Sequence, residues 1–142
     1  MRILILNGPN LNKLGKRRED HYGSLTLSKI EEGIIKEFPE DNFSFFQSNL
    51  EGELVTLIQN SEEEYDGLII NPGGYTHTSV AIKDALEIIK IPKIEVHLSN
   101  LSGREEYRQQ QITTQSCNGY ISGFKELGYF AAIYLLKKII NK

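Results

Sequence analysis

Residues 66–82 read DGLIINPGGYTHTSVAI, and how this stretch divides decides the fold. Leu68-Ile69-Ile70 is an unbroken apolar run of the kind that forms a strand buried on both faces. Val80-Ala81-Ile82 opens a segment whose apolar residues recur at helical spacing. Between them Asn71-Pro72-Gly73-Gly74 punctuates the chain, and Tyr75-Thr76-His77-Thr78-Ser79 supplies a run of hydrogen-bonding side chains. The polar cluster therefore sits at a strand-to-helix junction. In an open α/β sheet, ligands bind outside the carboxyl ends of the strands, so this junction is a candidate binding wall.

Working outward, apolar stretches recur at Ile3–Leu6, Phe43–Phe46, Leu68–Ile70, Ile94–His97 and Gly119–Ser122. Between them lie segments with helical spacing: Ile30, Ile34, Ile35 and Phe38; Leu54, Leu57 and Ile58; Val80, Ile82, Ala85, Leu86 and Ile89; and Phe130, Ile133, Leu136 and Ile140. Strands alternating with helices predict βαβ units and a parallel sheet. Thr26 before Leu27 is half of a helix-start signal, with Lys29 where a capping-box glutamate would stand, and Pro39 ends that helix. The pattern predicts a three-layer α/β/α domain with a five-stranded parallel sheet in flavodoxin-like topology, a single domain spanning residues 1–142.

Composition narrows the function. A chain of 142 residues lies within the ~100–200 residues of one domain and can bury a core without staples. A formal net charge of -3 offers no basic field for a phosphate backbone, so nucleic acid is not an expected partner and any cationic site must be local. The apolar run after Met1 is interrupted at Asn7-Gly8-Pro9, too soon for a signal sequence or a membrane span. No membrane association is expected, and the cytoplasm is the expected location. Cys117 is the only cysteine, which leaves no intrachain disulfide and reads as packing rather than as a nucleophile.

The unusual residues gather at strand ends. Asn7-Gly8-Pro9-Asn10, Asn71–Ser79 and His97-Leu98-Ser99-Asn100 follow the first, third and fourth strands, which in a parallel sheet brings them to one edge. Taken alone, Asn7 and Asn10 are ordinary Asx-turn residues, but three specialised junctions on one edge point to a site. The segment Gly15–Gly23 is long for a strand-to-helix connection. It carries Lys16, Arg17 and Arg18 and ends in His21-Tyr22-Gly23, which reads either as a solvated charge run or as a lid that delivers a tyrosine. Glu95 and His97, two apart on a strand, face the same way, so the carboxylate can hold one ring nitrogen and leave the other for acid–base work. Arg104 and Arg108, four apart, share a face if that segment is helical. With Glu105 and Glu106 between them they form either a salt-bridged surface turn or a cationic pocket for an anionic substrate.

NGPNLNKLG, Arg17 with Tyr22-Gly23 downstream, NPGGYTHTSVAIKDA, EVHLSN, REEYR and GYISGFKELGY, in that order, resemble type II 3-dehydroquinate dehydratase over nearly the whole chain. The resemblance implies a cofactor-free and metal-free enzyme that converts 3-dehydroquinate to 3-dehydroshikimate through an enolate, a step of the shikimate pathway. It implies Tyr22 as base, with Arg17 and Arg104 as the cations that favour a phenolate, since a tyrosine is ordinarily protonated at neutral pH. Arg17 also matches the position that stabilises the transition state. His97 matches the general acid, Glu95 its orienting carboxylate, and Asn10 the residue that holds a water against the enolate. Backbone amides near Leu98-Ser99 would take the substrate carboxylate, while Asn71, His77 and Arg108 would bind its hydroxyls. Asp84 lies two helical turns beyond His77 and is not expected to reach the same pocket. In the family it reaches a neighbouring subunit's site, which implies trimers assembled as a dodecamer.

The chain departs from the family pattern in two places. Arg18-Glu19 follows Arg17 where the family has Arg-Glu-Pro, leaving two candidate arginines, of which counting from Gly15 and to Tyr22 favours Arg17. Ser102 stands where the family commonly has histidine. From the residues alone, a flavodoxin-like module that binds a phosphate or flavin without turnover remains open, although no GxGxxG or GxxxxGK[ST] signature occurs. An inactive assembly protein would show an eroded catalytic set, and this set is intact.

Overall fold

The computed structural model describes all of residues 1–142. Strands β1 (Arg2–Asn7), β2 (Asn42–Gln47), β3 (Gly67–Asn71), β4 (Lys93–His97) and β5 (Gly119–Ser122) alternate with helices α1 (Glu19–Tyr22), α2 (Leu27–Glu37), α3 (Glu51–Glu64), α4 (Val80–Ile88) and α5 (Leu127–Ile140). All strand pairs are parallel, in the order β2-β1-β3-β4-β5. This is the flavodoxin-like doubly wound order, whose direction reverses between β1 and β3.

The alternation of side chains along each strand builds two cores. Ile3, Ile5, Ile69, Ile94 and Val96 face Ile30 and Ile34 of α2 and Tyr129, Ile133 and Leu136 of α5. Leu4, Leu6, Leu68 and Ile70 face Leu54 and Ile58 of α3 and Ile82, Ala85 and Leu86 of α4. β3 and β4 are buried along their whole length, and β1 is buried except at Arg2. Glu95 and His97 thus occupy strand positions that water does not reach freely.

Local signals set the helix starts. The Thr26 hydroxyl accepts the Lys29 N–H at 3.2 Å and caps α2. Ser79 does the same for Ile82 at 2.9 Å and caps α4. Two apolar residues depart from the expected core faces: Ile35 of α2 and Val80, the first residue of α4, are exposed. Ile35 follows the core-facing Ile34 directly, and one residue turns a helix by about 100°.

The β1 and β3 junctions pack directly on each other. The Gly8 amide donates to the Asn71 carbonyl at 2.7 Å, and a Cβ at Gly8 would come within 2.4 Å of the Pro72 carbonyl oxygen. Gly73, at φ 62°, folds over Pro9 from the other side. Gly8→Ala is therefore expected to lower stability by about 1–3 kcal/mol through overpacking. A thermal melting temperature equal to that of the wild type would show that the junctions can move apart.

Candidate active site

The floor of the site is the switch point itself. β1 and β3 run in a register that sets Asn7 beside Asn71, both buried. The Tyr129 hydroxyl, rising from α5, donates to Asn7 Oδ1 and accepts from Asn71 Nδ2 at 3.3 Å. Asn71 Oδ1 in turn accepts the Gly73 N–H at 3.1 Å. The Asn71 amide is thus oriented from both ends. Burial pushes the Tyr129 phenol up, so it stays protonated and acts as a structural link.

At the end of β4, Glu95 is fully buried and His97 nearly so. His97 Nε2 lies 2.6 Å from Glu95 Oε1. Glu95 also accepts the Thr76 hydroxyl on Oε1 at 2.9 Å and the Thr113 hydroxyl on Oε2 at 2.8 Å. Nothing in the sequence signalled Thr113, which lies in the irregular stretch before β5. Of the hydroxyl side chains Thr76, Thr78 and Ser79, only Ser79 caps α4, while Thr76 turns inward to the carboxylate.

Above them sits Tyr22, at the end of a segment bracketed by Gly15 and Gly23, both at positive φ. The Arg17 guanidinium lies 3.7 Å from the Tyr22 ring centroid, a cation–π contact. Arg104 Nη1 donates to the Tyr22 hydroxyl at 3.1 Å and to Ser99 Oγ at 2.9 Å. Arg18 points away and pairs with Asp20 at 2.6 Å on the exposed surface. Of the two lid arginines, Arg17 is the one whose guanidinium lies over the Tyr22 ring. His21 is half-buried, edge-on to Tyr22, rather than wholly in solvent.

Arg104 and Arg108 do not share a helical turn. Arg104 is extended, and only Glu106–Arg108 forms a single 3₁₀ turn. The two arginines are brought together by Glu105, whose Oε2 lies 2.8 Å from Arg108 Nε and 3.4 Å from Arg104 Nε. A hydrogen bond from its own backbone amide, with the two arginines, holds the Glu105 carboxyl down at about 2. The two arginines are thus paired to Glu105 near the surface while both also line the cleft.

These groups line one cleft, open to solvent on one side. Asn10, Arg17, Tyr22, Asn71, His77, His97, Leu98, Ser99, Arg104 and Arg108 all reach it, together with Gly73 and Gly74. Glu95 stands behind His97. Asp84 does not join the cleft and is exposed on α4. Asn10 adopts the left-handed conformation, φ 69°, at the mouth. Burial, with His97 and Arg108 nearby, lowers the His77 imidazole below its ordinary range despite the Gln110 carbonyl 2.7 Å from Nδ1. Neutral His77 donates Nδ1–H to that carbonyl and presents Nε2 as an acceptor. The cleft thus combines cations for an anionic ligand, hydrogen-bonding groups for hydroxyls, a phenol beside arginines and a carboxylate-backed imidazole.

Fold and site together define an α/β protein of flavodoxin-like order with a polar, arginine-lined cleft at its switch point. The chain matches the family model described as dehydroquinase class II over residues 1–137. It is 48% identical to the 3-dehydroquinate dehydratase of Clostridium perfringens, with 99% of both chains covered. To the protein of the same name from Fusobacterium nucleatum it is 45% identical over the full length of both. The crystal structure of type II dehydroquinase from Butyrivibrio crossotus superposes with a TM-score of 0.93 at 42% identity, covering 96% of this chain and 97% of that one. The chain belongs to the class II dehydroquinase family, and is with it a dehydratase of the hydro-lyase class.

Burial and the adjacent Glu95 raise the Cys117 thiol far above its ordinary value. The thiolate is the reactive form, so the native protein is expected to react with Ellman's reagent at pH 8 at least about tenfold more slowly than the denaturant-unfolded chain. Equal rates would contradict the partly buried placement beside Glu95.

Proposed function

We propose that the protein is a 3-dehydroquinate dehydratase that removes water from 3-dehydroquinate through an enolate to give 3-dehydroshikimate, a step of the shikimate pathway. The observation that carries the reading is the Tyr22 hydroxyl held at 3.1 Å by Arg104, beneath the Arg17 guanidinium, across one cleft from the Glu95–His97 pair. Elimination beside a ketone needs a base on one side and an acid on the leaving hydroxyl. Tyr22, as phenolate, takes the proton from the carbon next to the ketone. Arg17 and Arg104 compensate the charge on the phenolate oxygen and, as the proton moves, the charge that develops on the substrate.

The bond pair from that carbon becomes the enolate, whose oxygen is stabilised by a water held on Asn10. Collapse of the enolate expels the hydroxyl, and His97 gives it a proton so that it leaves as water, with Glu95 balancing the imidazolium before transfer. The substrate carboxylate binds at Leu98-Ser99, and Asn71, His77 and Arg108 read its hydroxyls. His77 Nε2 suits this because it can accept from a hydroxyl while Nδ1 stays on Gln110. No metal or organic cofactor enters any of these steps.

We further propose that the cytoplasmic enzyme assembles as trimers within a dodecamer, Asp84 reaching a neighbour's site. Val80, Asp84 and Ile88 form an exposed stripe down one face of α4, with two apolar residues of which Val80 is 57% and Ile88 65% exposed. No helix is long and apolar enough to cross a membrane.

Purified protein given 3-dehydroquinate should develop the ultraviolet absorbance of a conjugated enone, at an undiminished rate in chelator. Tyr22→Phe should lower kcat by about 10²–10⁴-fold with KM little changed. No turnover by folded wild type would remove the dehydratase reading, and turnover that survives Tyr22→Phe would remove the tyrosine base. Light scattering should return a mass twelve times that of the chain. A monomer would sink the proposed role of Asp84.

A further inference from the structure

Glu95 is a carboxylate with no exposed surface and no arginine or lysine bonded to it. A buried charge persists only if its lone pairs are engaged. Here they are: Oε1 faces His97 Nε2 at 2.6 Å and Thr76 Oγ1 at 2.9 Å, while Oε2 faces Thr113 Oγ1 at 2.8 Å, with Cys117 Sγ 3.9 Å away. Both threonines are fully buried, and neither hydroxyl has another partner for its proton, so both donate to Glu95. An ionised carboxylate is acceptor-only. With both threonines donating, a carboxylate at Glu95 has only acceptor positions left for His97, and the hydrogen between them is then the imidazole's.

We infer that Thr76 and Thr113 are positioning residues of the acid–base pair: their hydroxyls hold Glu95 as a fully engaged anion, which keeps His97 with Nε2–H on Glu95 and Nδ1 toward the cleft. The two hydroxyls arrive from separate segments that are themselves tied together. The Ile112 amide donates to the Thr76 carbonyl at 2.7 Å, and His77, next in sequence, bonds Gln110. One cross-link thus sets both the wall of the cleft and the charge behind its acid.

Other titratable groups facing the pair are Cys117 from the loop before β5, His77 from the turn after β3, Tyr22 from α1, and Arg104 and Arg108 from the loop after β4. Lys93 lies two residues back on β4. Threonine-to-valine substitution changes none of them and nearly conserves shape, so it isolates the hydroxyl. With one donor missing, the anion is less compensated and the Glu95–His97 pair grips its proton harder.

The inference rests on the proposed dehydration for its kinetic arm alone. Thr76→Val and Thr113→Val should each lower kcat about tenfold with KM within about twofold, and move the pH limb that reports the pair upward by about one unit. Thr76→Ser and Thr113→Ser, which keep the hydroxyl, should restore both. Valine variants with wild-type kcat and pH limb, or serine variants as impaired as valine, would overturn the inference. A second readout needs neither substrate nor variant folding. The nitrogen-15 spectrum of the wild type at high pH should show the His97 ring protonated on Nε2 and bare on Nδ1, and the opposite tautomer would overturn the inference even if every threonine variant unfolds. A wild type inactive on 3-dehydroquinate but carrying the expected tautomer would refute the substrate and leave the threonine assignment standing.

Discussion

The parallel register of β1 against β3 is the constraint on which the remaining geometry hangs. It places Asn7 and Asn71 side by side at the carboxyl edge of the sheet, at the switch point where the strand order reverses and a crevice forms. The crevice survives only because the loops meet without side chains at the tightest point, where Gly8 lies against Pro72 and Gly73 against Pro9. Tyr129 then spans both asparagines from a helix far along the chain, so the floor is held by α5 as well as by the sheet. Every group proposed to act on substrate stands on that floor or leans over it.

Charge is separated across the cleft. The cations Arg17, Arg104 and Arg108 come from the segments that cover it, while the anion, Glu95, is sunk in the sheet beneath His97. A chain that is acidic overall thereby presents a locally cationic pocket without bringing its arginines into direct contact with Glu95. Glu105 serves a different end: it touches Arg104 and Arg108 near the surface, aligning them through an ion pair that water partly screens. In the buried layer, neutral hydroxyl donors rather than cations compensate Glu95. Hydroxyls satisfy lone pairs without cancelling the charge that a protonated imidazole would need beside it.

Periodicity made the sheet and its edge legible in the sequence. The apolar runs at Ile3–Leu6 and Leu68–Ile70 read as strands buried on both faces, and the polar junctions after them share an edge once the strands are parallel. The same reasoning read Glu95 and His97 as facing one way, because side chains alternate along a strand. It failed at Arg104 and Arg108, where a spacing of four suggested a helical turn but the backbone is extended, the two groups being drawn together by Glu105 instead. It also placed Ile35 and Val80 among core residues, since an apolar side chain at the rim of a helical stripe carries no mark of which side of the rim it falls on.

By itself, then, the sequence determined the alternating strands and helices and the edge that gathers the three polar junctions, because these follow from short-range periodicity and from chain direction, while the lid and the two later arginines were assigned to the cleft through the family resemblance. The tertiary structure shows which guanidinium the lid lays over Tyr22, that of Arg17, the one that counting along the chain already favoured. It alone revealed that Tyr129 orients Asn71 and that Thr76 and Thr113 close around Glu95. A buried carboxylate must find donors, but threonines have no periodicity or spacing that names their acceptor. Partners 18 and 19 positions apart in the sequence are chosen by packing.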